Sequence, residues 1–347
     1  MTMRTADAAA TLDLARPLPN PDLLIRFDRV LAAGGDRESI RRAERARRLT
    51  RIRRGTYVVT ETWHALDSRQ QHVLRAHAAQ YYSAKPLLFS GVTAAAFWGI
   101  PFDGDYPDVV TVLQRYDGGG RSSPGVRRET WGHDSAQRMR IGEITLVTPA
   151  RAALELARLQ DTPAALATLD AVQSIRVPLR ARLLRSDLEV ELHRLGSRQR
   201  GRLAAIVEAS SGLSGSFGES MARGVILLLG FTAPLLQQRV VDSQGDMFPD
   251  FTWPDGGPSG QGLFGEFDGK AKYTRDEFTH GDPGEVVFRE KRREDRLRAT
   301  GAGVVRILWS HVMNHAEMER LLVFAGVPRQ SSVSLAWTSW MNGRPAS

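Results

Sequence analysis

The sequence predicts a mixed α/β protein in three parts. These are a winged-helix-like module (21–84), a middle α/β segment (85–208) and a C-terminal α/β domain (209–328), lying between a flexible tail (1–20) and a C-terminal tail (329–347). Three observations carry that division. A helix, an arginine-rich strand and a tight turn follow one another near the N-terminus. Strand-like and amphipathic helical stretches alternate through the middle. After a Ser/Gly-rich stretch, a helix leads into three short strands whose acidic residues fall on one face.

Composition bounds what such a chain does. With 347 residues and 42% hydrophobic content it has room for two or three domains with real cores. A formal net charge of +8 favours a polyanionic partner, and nucleic acid is the expected one. There is no cysteine, which excludes disulfides, cysteine–zinc sites and thiol chemistry and fits a reducing cytoplasm. The first twenty residues lack the apolar core of a signal peptide, and the longest apolar run, VILLLGF (225–231), is too short to span a bilayer. A cytoplasmic protein with no membrane partner is therefore expected.

PDLLIRFDRVLAAGG (21–35) has a helical apolar rhythm and a glycine stop. In DRESIRRAERARRLTRIRRGTYVV (36–59), Asp36 is a helix cap, the second half alternates as a strand, and Gly55 turns the chain into Thr56–Val59. This is the layout of a recognition helix followed by a wing. Nine arginines against two glutamates, Glu38 and Glu44, lie between Arg37 and Arg54. A solvated helix face usually mixes signs in i,i+4 pairs, and this one barely does. Arginine forks suit phosphates and guanine edges. Arg41, Arg42, Arg45, Arg48, Arg51, Arg53 and Arg54 are therefore the candidate DNA-binding residues.

A further helix is expected over 66–84, and SGVTAAAFWGIPF (90–102) reads as a buried helix and turn around Trp98. VVTVLQRY (109–116) is a strand. DGGGRSSPG (117–125) is a loop and not a phosphate cradle, because no GK[ST] helix follows it. ITLVTPARAALELARL (144–159) is a strand, a Thr/Pro helix start and an amphipathic helix, with more helices over 164–208. SSGLSGS (210–216) is the expected linker.

In the C-terminal third, GESMARGVILLLGF (218–231) is a helix with Glu219 near its start. Strands are expected over 235–242, 247–253 and 263–270, the last two joined by a hairpin. Glu266, Asp268 and Lys270 then share one strand face, opposite to Phe267, and Asp250 comes alongside Glu266 from the partner strand. Lys270 is one of only four lysines in an arginine-rich chain. Carboxylates hold Mg²⁺, which prefers oxygen ligands; the metal acidifies its water, and an ammonium group orients that water or neutralises phosphoryl charge. The same spacing also suits a solvated hairpin face of alternating charge.

Pro249-Asp250, a hairpin and Glu266-Phe267-Asp268-Gly269-Lys270 resemble the PD-(D/E)xK restriction-endonuclease-like superfamily. EFDGKAKY followed by REKRREDRLRATGAGVVRILW (289–309) resembles very-short-patch-repair-like nuclease domains, over about 205–325. That resemblance implies a Mg²⁺- (or Mn²⁺-) dependent endonuclease with Asp250, Glu266 and Asp268 as metal ligands, Lys270 assisting water and Glu219 approaching from the helix. Two registers are open. If Glu266 is the second acid, aspartate stands where the lysine is expected; if Asp268 is, Lys270 fits and Glu266 is an extra ligand.

RLTRIRRGTYVV, SGVTAAAFWGIPF and ITLVTPARAALELARL resemble AbiEi-type antitoxins of type IV toxin–antitoxin systems, over roughly 22–195. This implies the alternative function, a transcriptional repressor with a catalytically silent C-terminal domain, whose partners would be an operator and a nucleotidyltransferase-like toxin. A full winged helix has three helices before its wing, and only two fit before Arg51. Arg292, Arg293, Arg296 and Arg298 either hold a DNA backbone or form a solvated face with Glu290, Glu294 and Asp295. His311 and His315 are spaced as zinc ligands, but Val312 replaces the glutamate that a metalloprotease needs.

Overall fold

The computed structural model describes residues 17–101, 106–115, 124–176, 182–195, 200–258, 260–269 and 292–330. Helices and mixed sheets alternate throughout, so the chain is a mixed α/β protein. It divides into two compact units rather than three. The described residues within Asp13–Leu156 and Pro178–Arg198 form one, and those within Ala157–Val177 and Gln199–Ser347 form the other.

The first unit opens with β1 (Ile25–Arg26), α1 (Phe27–Ala32), α2 (Arg37–Arg45), β2 (Leu49–Arg53) and β3 (Thr56–Val59). The apolar stretch 21–35 thus yields only a short helix, because β1 takes its first part into an antiparallel sheet of order β1-β3-β2. Gly55 turns β2 into β3 at φ 76°, a conformation glycine adopts at little cost. Helices α3 (Thr60–Ala65) and α4 (Ser68–Tyr81) follow, α4 starting at a capping box of Asp67 and Gln70. Val58, Trp63 and Leu74 form the local core.

The chain continues through β4 (Leu88–Phe89), α5 (Gly91–Trp98), β5 (Val110–Leu113), β6 (Val126–Glu129), β7 (Arg138–Ile141), β8 (Ile144–Val147) and α6 (Pro149–Leu159). The strands form a mixed sheet of order β6-β5-β4-β8-β7. The expected boundary at 84/85 is not a domain boundary, because α4 packs on α5 and β5. Buried Arg69 donates to the Ala96 carbonyl at 3.1 Å, and buried His72 meets Thr93 Oγ1 at 2.9 Å. Residues 116–123, most of the glycine-rich loop, lie outside the described residues.

Helix α7 (Thr162–Gln173) belongs to the second unit and α8 (Arg185–Arg194) to the first. The second unit adds α9 (Arg200–Ala209), α10 (Phe217–Leu228), β9 (Leu235–Leu236), β10 (Val240–Asp242), β11 (Gly245–Met247), β12 (Phe251–Trp253), β13 (Leu263–Asp268), α11 (292–299), β14 (Gly303–Leu308), α12 (Trp309–Met313) and α13 (His315–Phe324). Its sheet runs β14-β13-β12-β9, with β13 and β14 parallel and the other pairs antiparallel. Trp253, Phe251, Phe231, Ile226, Ile307 and Leu322 anchor its core.

Two sequence expectations change here. SSGLSGS is not a linker. Asp170, buried on α7, accepts from Ser211 N at 2.7 Å, Ser214 Oγ at 3.2 Å and Ser220 Oγ at 2.7 Å, and receives Arg223 Nη2 on both oxygens at 2.8 Å. The serines serve a buried carboxylate, so α7 joins the second unit and the expected boundary at 208/209 disappears. The strands expected over 235–242 and 247–253 are each broken in two. Gln237 adopts φ 51° between β9 and β10, and β11 pairs with β10 while β12 pairs with β13. Among the described residues no helix is long and apolar enough to cross a membrane.

Candidate functional site

Two surfaces gather the residues singled out above. The first lies on α2 and the β2–β3 hairpin. Asp36 Oδ1 accepts from Ser39 N at 2.7 Å and starts α2, and Ile40 is its buried anchor. With Ile40 inward, Arg41, Arg42 and Arg45 are exposed, as are Arg48, Arg51 and Arg54 along the chain into the hairpin. Arg53 is half-buried, and burial lowers its guanidinium pKa. Arg45 pairs with Glu38. Among the described residues Arg41, Arg42, Arg48, Arg51 and Arg54 have no acidic partner within salt-bridge distance. Tyr82 Oη donates to the Gly55 carbonyl at 2.8 Å and braces the turn.

The second surface is at the end of β13. Ser216 caps α10 by accepting from Glu219 N at 3.2 Å, and the Glu219 carboxylate folds back to accept from Gly215 N at 2.6 Å and Ser216 Oγ at 3.0 Å. A Cβ at Gly218 would run into the Phe267 ring, so this glycine lets β13 approach the start of α10. Phe251 pairs with Gly265, which sets Asp250 beside Glu266, and Asp250 Oδ2 accepts from Phe267 N at 2.9 Å. Burial first, and then the charge of Asp250, push the Glu219 carboxyl up to about 7. Two carboxylates therefore share one neighbourhood, from α10 and from the start of β12.

Glu266 and Asp268 do share a face of β13, as alternation required, but each meets an arginine. Arg293 on α11 pairs with Glu266 at 2.9 Å, and Arg306 on β14 lies 3.4 Å from Asp268 and 3.0 Å from Glu294. Among the described residues no three His, Asp or Glu side chains gather as a group that could hold a metal ion. The expected trio of Asp250, Glu266 and Asp268 is thus not assembled there, because the arginines of α11 and β14 occupy the Glu266–Asp268 face. Lys270 lies outside the described residues.

The remaining α11 arginines are also engaged: Arg296 chelates Asp242 at 2.7 and 2.6 Å, Arg298 meets Glu294 at 2.6 Å, and Arg292 reaches Gln244 at 3.2 Å. Arg292 and Arg296 thus hold the β10–β11 hairpin to α11, while the Arg298 pair lies within α11. His311 Nδ1 accepts from Leu308 N at 3.0 Å, a helix-capping bond rather than a zinc ligand's geometry.

Two residues had no signal in the sequence. Gln237 Nε2 lies 3.3 Å from Asp250 Oδ1, and Arg176 Nη2 lies 3.4 Å from Gln237 Oε1. Gln237 read as one residue of an unbroken strand, and Arg176 as one arginine among many.

This arrangement can be set beside known proteins. The uncharacterized proteins Rv2248 of Mycobacterium tuberculosis strain H37Rv and MT2308 of strain CDC 1551 are each 32% identical over 220 residues, covering 62% of this chain and 72% of theirs. The chain belongs to their family. No protein-family model matches the sequence. Among solved structures, that of the Rv2827c protein of Mycobacterium tuberculosis is similar at 17% identity and a TM-score of 0.34, covering 68% of this chain and 88% of that one.

Proposed function

We propose that this family member binds DNA through the α2–hairpin face of its first unit. The observation that supports this reading is the run of exposed arginines, Arg41, Arg42, Arg48, Arg51 and Arg54, on consecutive elements with no acidic partner within salt-bridge distance among the described residues. Five exposed guanidinium groups on consecutive elements suit the phosphate backbone of a duplex. The cysteine-free composition fits the cytoplasm, where such a protein meets DNA. The test is fluorescence anisotropy with duplex DNA across a salt series. If all five arginines contact phosphates, log affinity falls against log salt with a slope of roughly −4.5. Arg41→Ala/Arg42→Ala/Arg48→Ala should lower that slope by about 3. A wild-type slope near zero, or an unchanged slope in the triple variant, overturns the reading.

A second activity is favoured by the pairing of Glu219 with Asp250. Two carboxylates close enough for one to raise the other's pKa form a site that a divalent cation would relieve. Mg²⁺ typically takes one or two carboxylates and completes its shell with water and substrate phosphate, so the donor set fits. Bound there, it would acidify water and stabilise phosphoryl charge. In this Mg²⁺- or Mn²⁺-dependent endonuclease reading Asp250 and Glu219 hold the ion. Glu266 and Asp268 contribute only after leaving Arg293 and Arg306, and Lys270 orients the water as the resemblance implies.

Cleavage of supercoiled plasmid by wild type, lost in Asp250→Ala, supports this reading. No cleavage by wild type in either metal sinks it. In that case the alternative stands, an antitoxin-type repressor, and its check is binding to its own promoter and to a neighbouring nucleotidyltransferase-like toxin.

A further inference from the structure

Among the described residues, Arg47 and Gln237 are the non-glycine residues with positive φ, and Arg47 (φ 54°) stands where α2 ends. Arg47 N donates to the Glu44 carbonyl at 3.0 Å, and Arg48 N to the Ala43 carbonyl at 2.9 Å. This pair of bonds closes a helix through one left-handed residue, a place that glycine usually takes because it has no Cβ. Other helices of this chain follow that preference. The same paired bonds close α1 at Gly34 (φ 84°), α10 at Gly230 (φ 77°) and α13 at Gly326 (φ 76°). Glycine is available to a chain that holds 32 of them, but α2 closes on arginine.

The backbone cost of a left-handed arginine is not offset by a contact within the fold. The Arg47 side chain is exposed, and among the described residues it has no hydrogen-bond or ion-pair partner. A cation is favourable at a helix C-terminus, but Arg42 and Arg45 already occupy the last turn of α2. What surrounds Arg47 is the run of arginines described above. Arg41 and Arg42 precede it, Arg48 and Arg51 follow it, and all four are exposed without an acidic partner among the described residues. Nothing in the sequence sets Arg47 apart from the other arginines of this run; its backbone does.

We propose that Arg47 is a further DNA-contacting residue, whose guanidinium binds a backbone phosphate at the step from α2 to β2. This role rests on the DNA-binding reading above. It accounts for a cation with a Cβ standing where the same helix ending elsewhere in the chain has glycine.

The experiment uses the full chain as wild type, Arg47→Gly, Arg47→Asn and Arg47→Lys. Affinity for a labelled duplex is read by fluorescence anisotropy across a salt series, and melting temperature by differential scanning fluorimetry. Glycine and asparagine accept the left-handed backbone without the charge, and lysine keeps the charge. One phosphate contact contributes about 0.9 to the slope of log affinity against log salt, a contribution that vanishes near 1 M. Arg47→Gly and Arg47→Asn should therefore each lower the slope by about 0.9, weakening binding about eightfold at 0.1 M salt and only about threefold at 0.3 M. Arg47→Lys should keep the wild-type slope, and Arg47→Gly should melt at or above wild type. A steep wild-type slope that is unchanged in Arg47→Gly and Arg47→Asn overturns the role of Arg47 and leaves the DNA-binding face in place. A fall in Arg47→Gly alone also overturns it, because the glycine has then only loosened the junction. A wild-type slope near zero overturns the DNA-binding reading itself, and the role of Arg47 with it.

Discussion

Asp170→Asn removes one charge from the buried cluster that ties α7 to α10. Asp170 and Arg223 are 1% and 5% exposed, their oxygens and Nη2 are 2.8 Å apart, and Arg223 Nη1 also donates to the Ala209 carbonyl at 2.7 Å. Arginine cannot shed its proton, so the variant leaves a buried cation uncompensated. Breaking one side of a buried pair costs about 3–5 kcal/mol. Asparagine also offers one acceptor where the carboxylate serves Ser211 N, Ser214 Oγ and Ser220 Oγ as well. The assay is hydrogen–deuterium exchange of peptides covering α7 and α10. Exchange through opening should quicken between roughly a hundredfold and a few thousandfold, at tenfold per 1.4 kcal/mol. Adding Arg223→Met should restore most of the protection, because the stranded charge is gone. Exchange within tenfold of wild type in Asp170→Asn would refute the claim that this ion pair sets the unit's stability. The consequence reaches the candidate site, since Ser214 and Ser220 flank the turn from which Glu219 projects.

His72 is fully buried, with Nδ1 2.7 Å from the Pro107 carbonyl and Nε2 2.9 Å from Thr93 Oγ1; burial pushes its pKa down to about 4. The unfolded chain takes up this proton near pH 6.5 and the folded one only near 4. Stability of the first unit should therefore fall by roughly 3 kcal/mol between those pH values. Urea titrations at pH 7 and pH 4 check this, and a His72→Asn variant should lose that dependence. Gly218→Ala should destabilise the second unit by about 1–3 kcal/mol, since its Cβ meets the Phe267 ring; thermal melts measure it. Mn²⁺ affinity should fall about tenfold per unit as pH drops below 7, because the proton on Glu219 competes with the metal, and should level off above 7. Glu219→Gln removes that pH dependence, and calorimetry at pH 6 and 8 reads it.

Local patterns in the sequence determined a good deal. Asp36 as a cap, Gly55 at the turn, the alternation of β13 and the helix start after Val147 are set by residues close in the chain, so periodicity and capping chemistry expose them. The exposed arginine face followed in the same way, from one helix and one hairpin that carry their own orientation. Tertiary structure decided the rest. Whether SSGLSGS was a linker depended on Asp170, some forty residues away, and polar small residues look alike in a loop and around a buried carboxylate. Whether Glu266 and Asp268 faced a metal ion or an arginine depended on α11 and β14, whose arginines arrive only when the parallel crossover closes. Gln237 turned left-handed because β9 ends opposite Asp250, a register that pairing between distant strands creates and that no local pattern encodes.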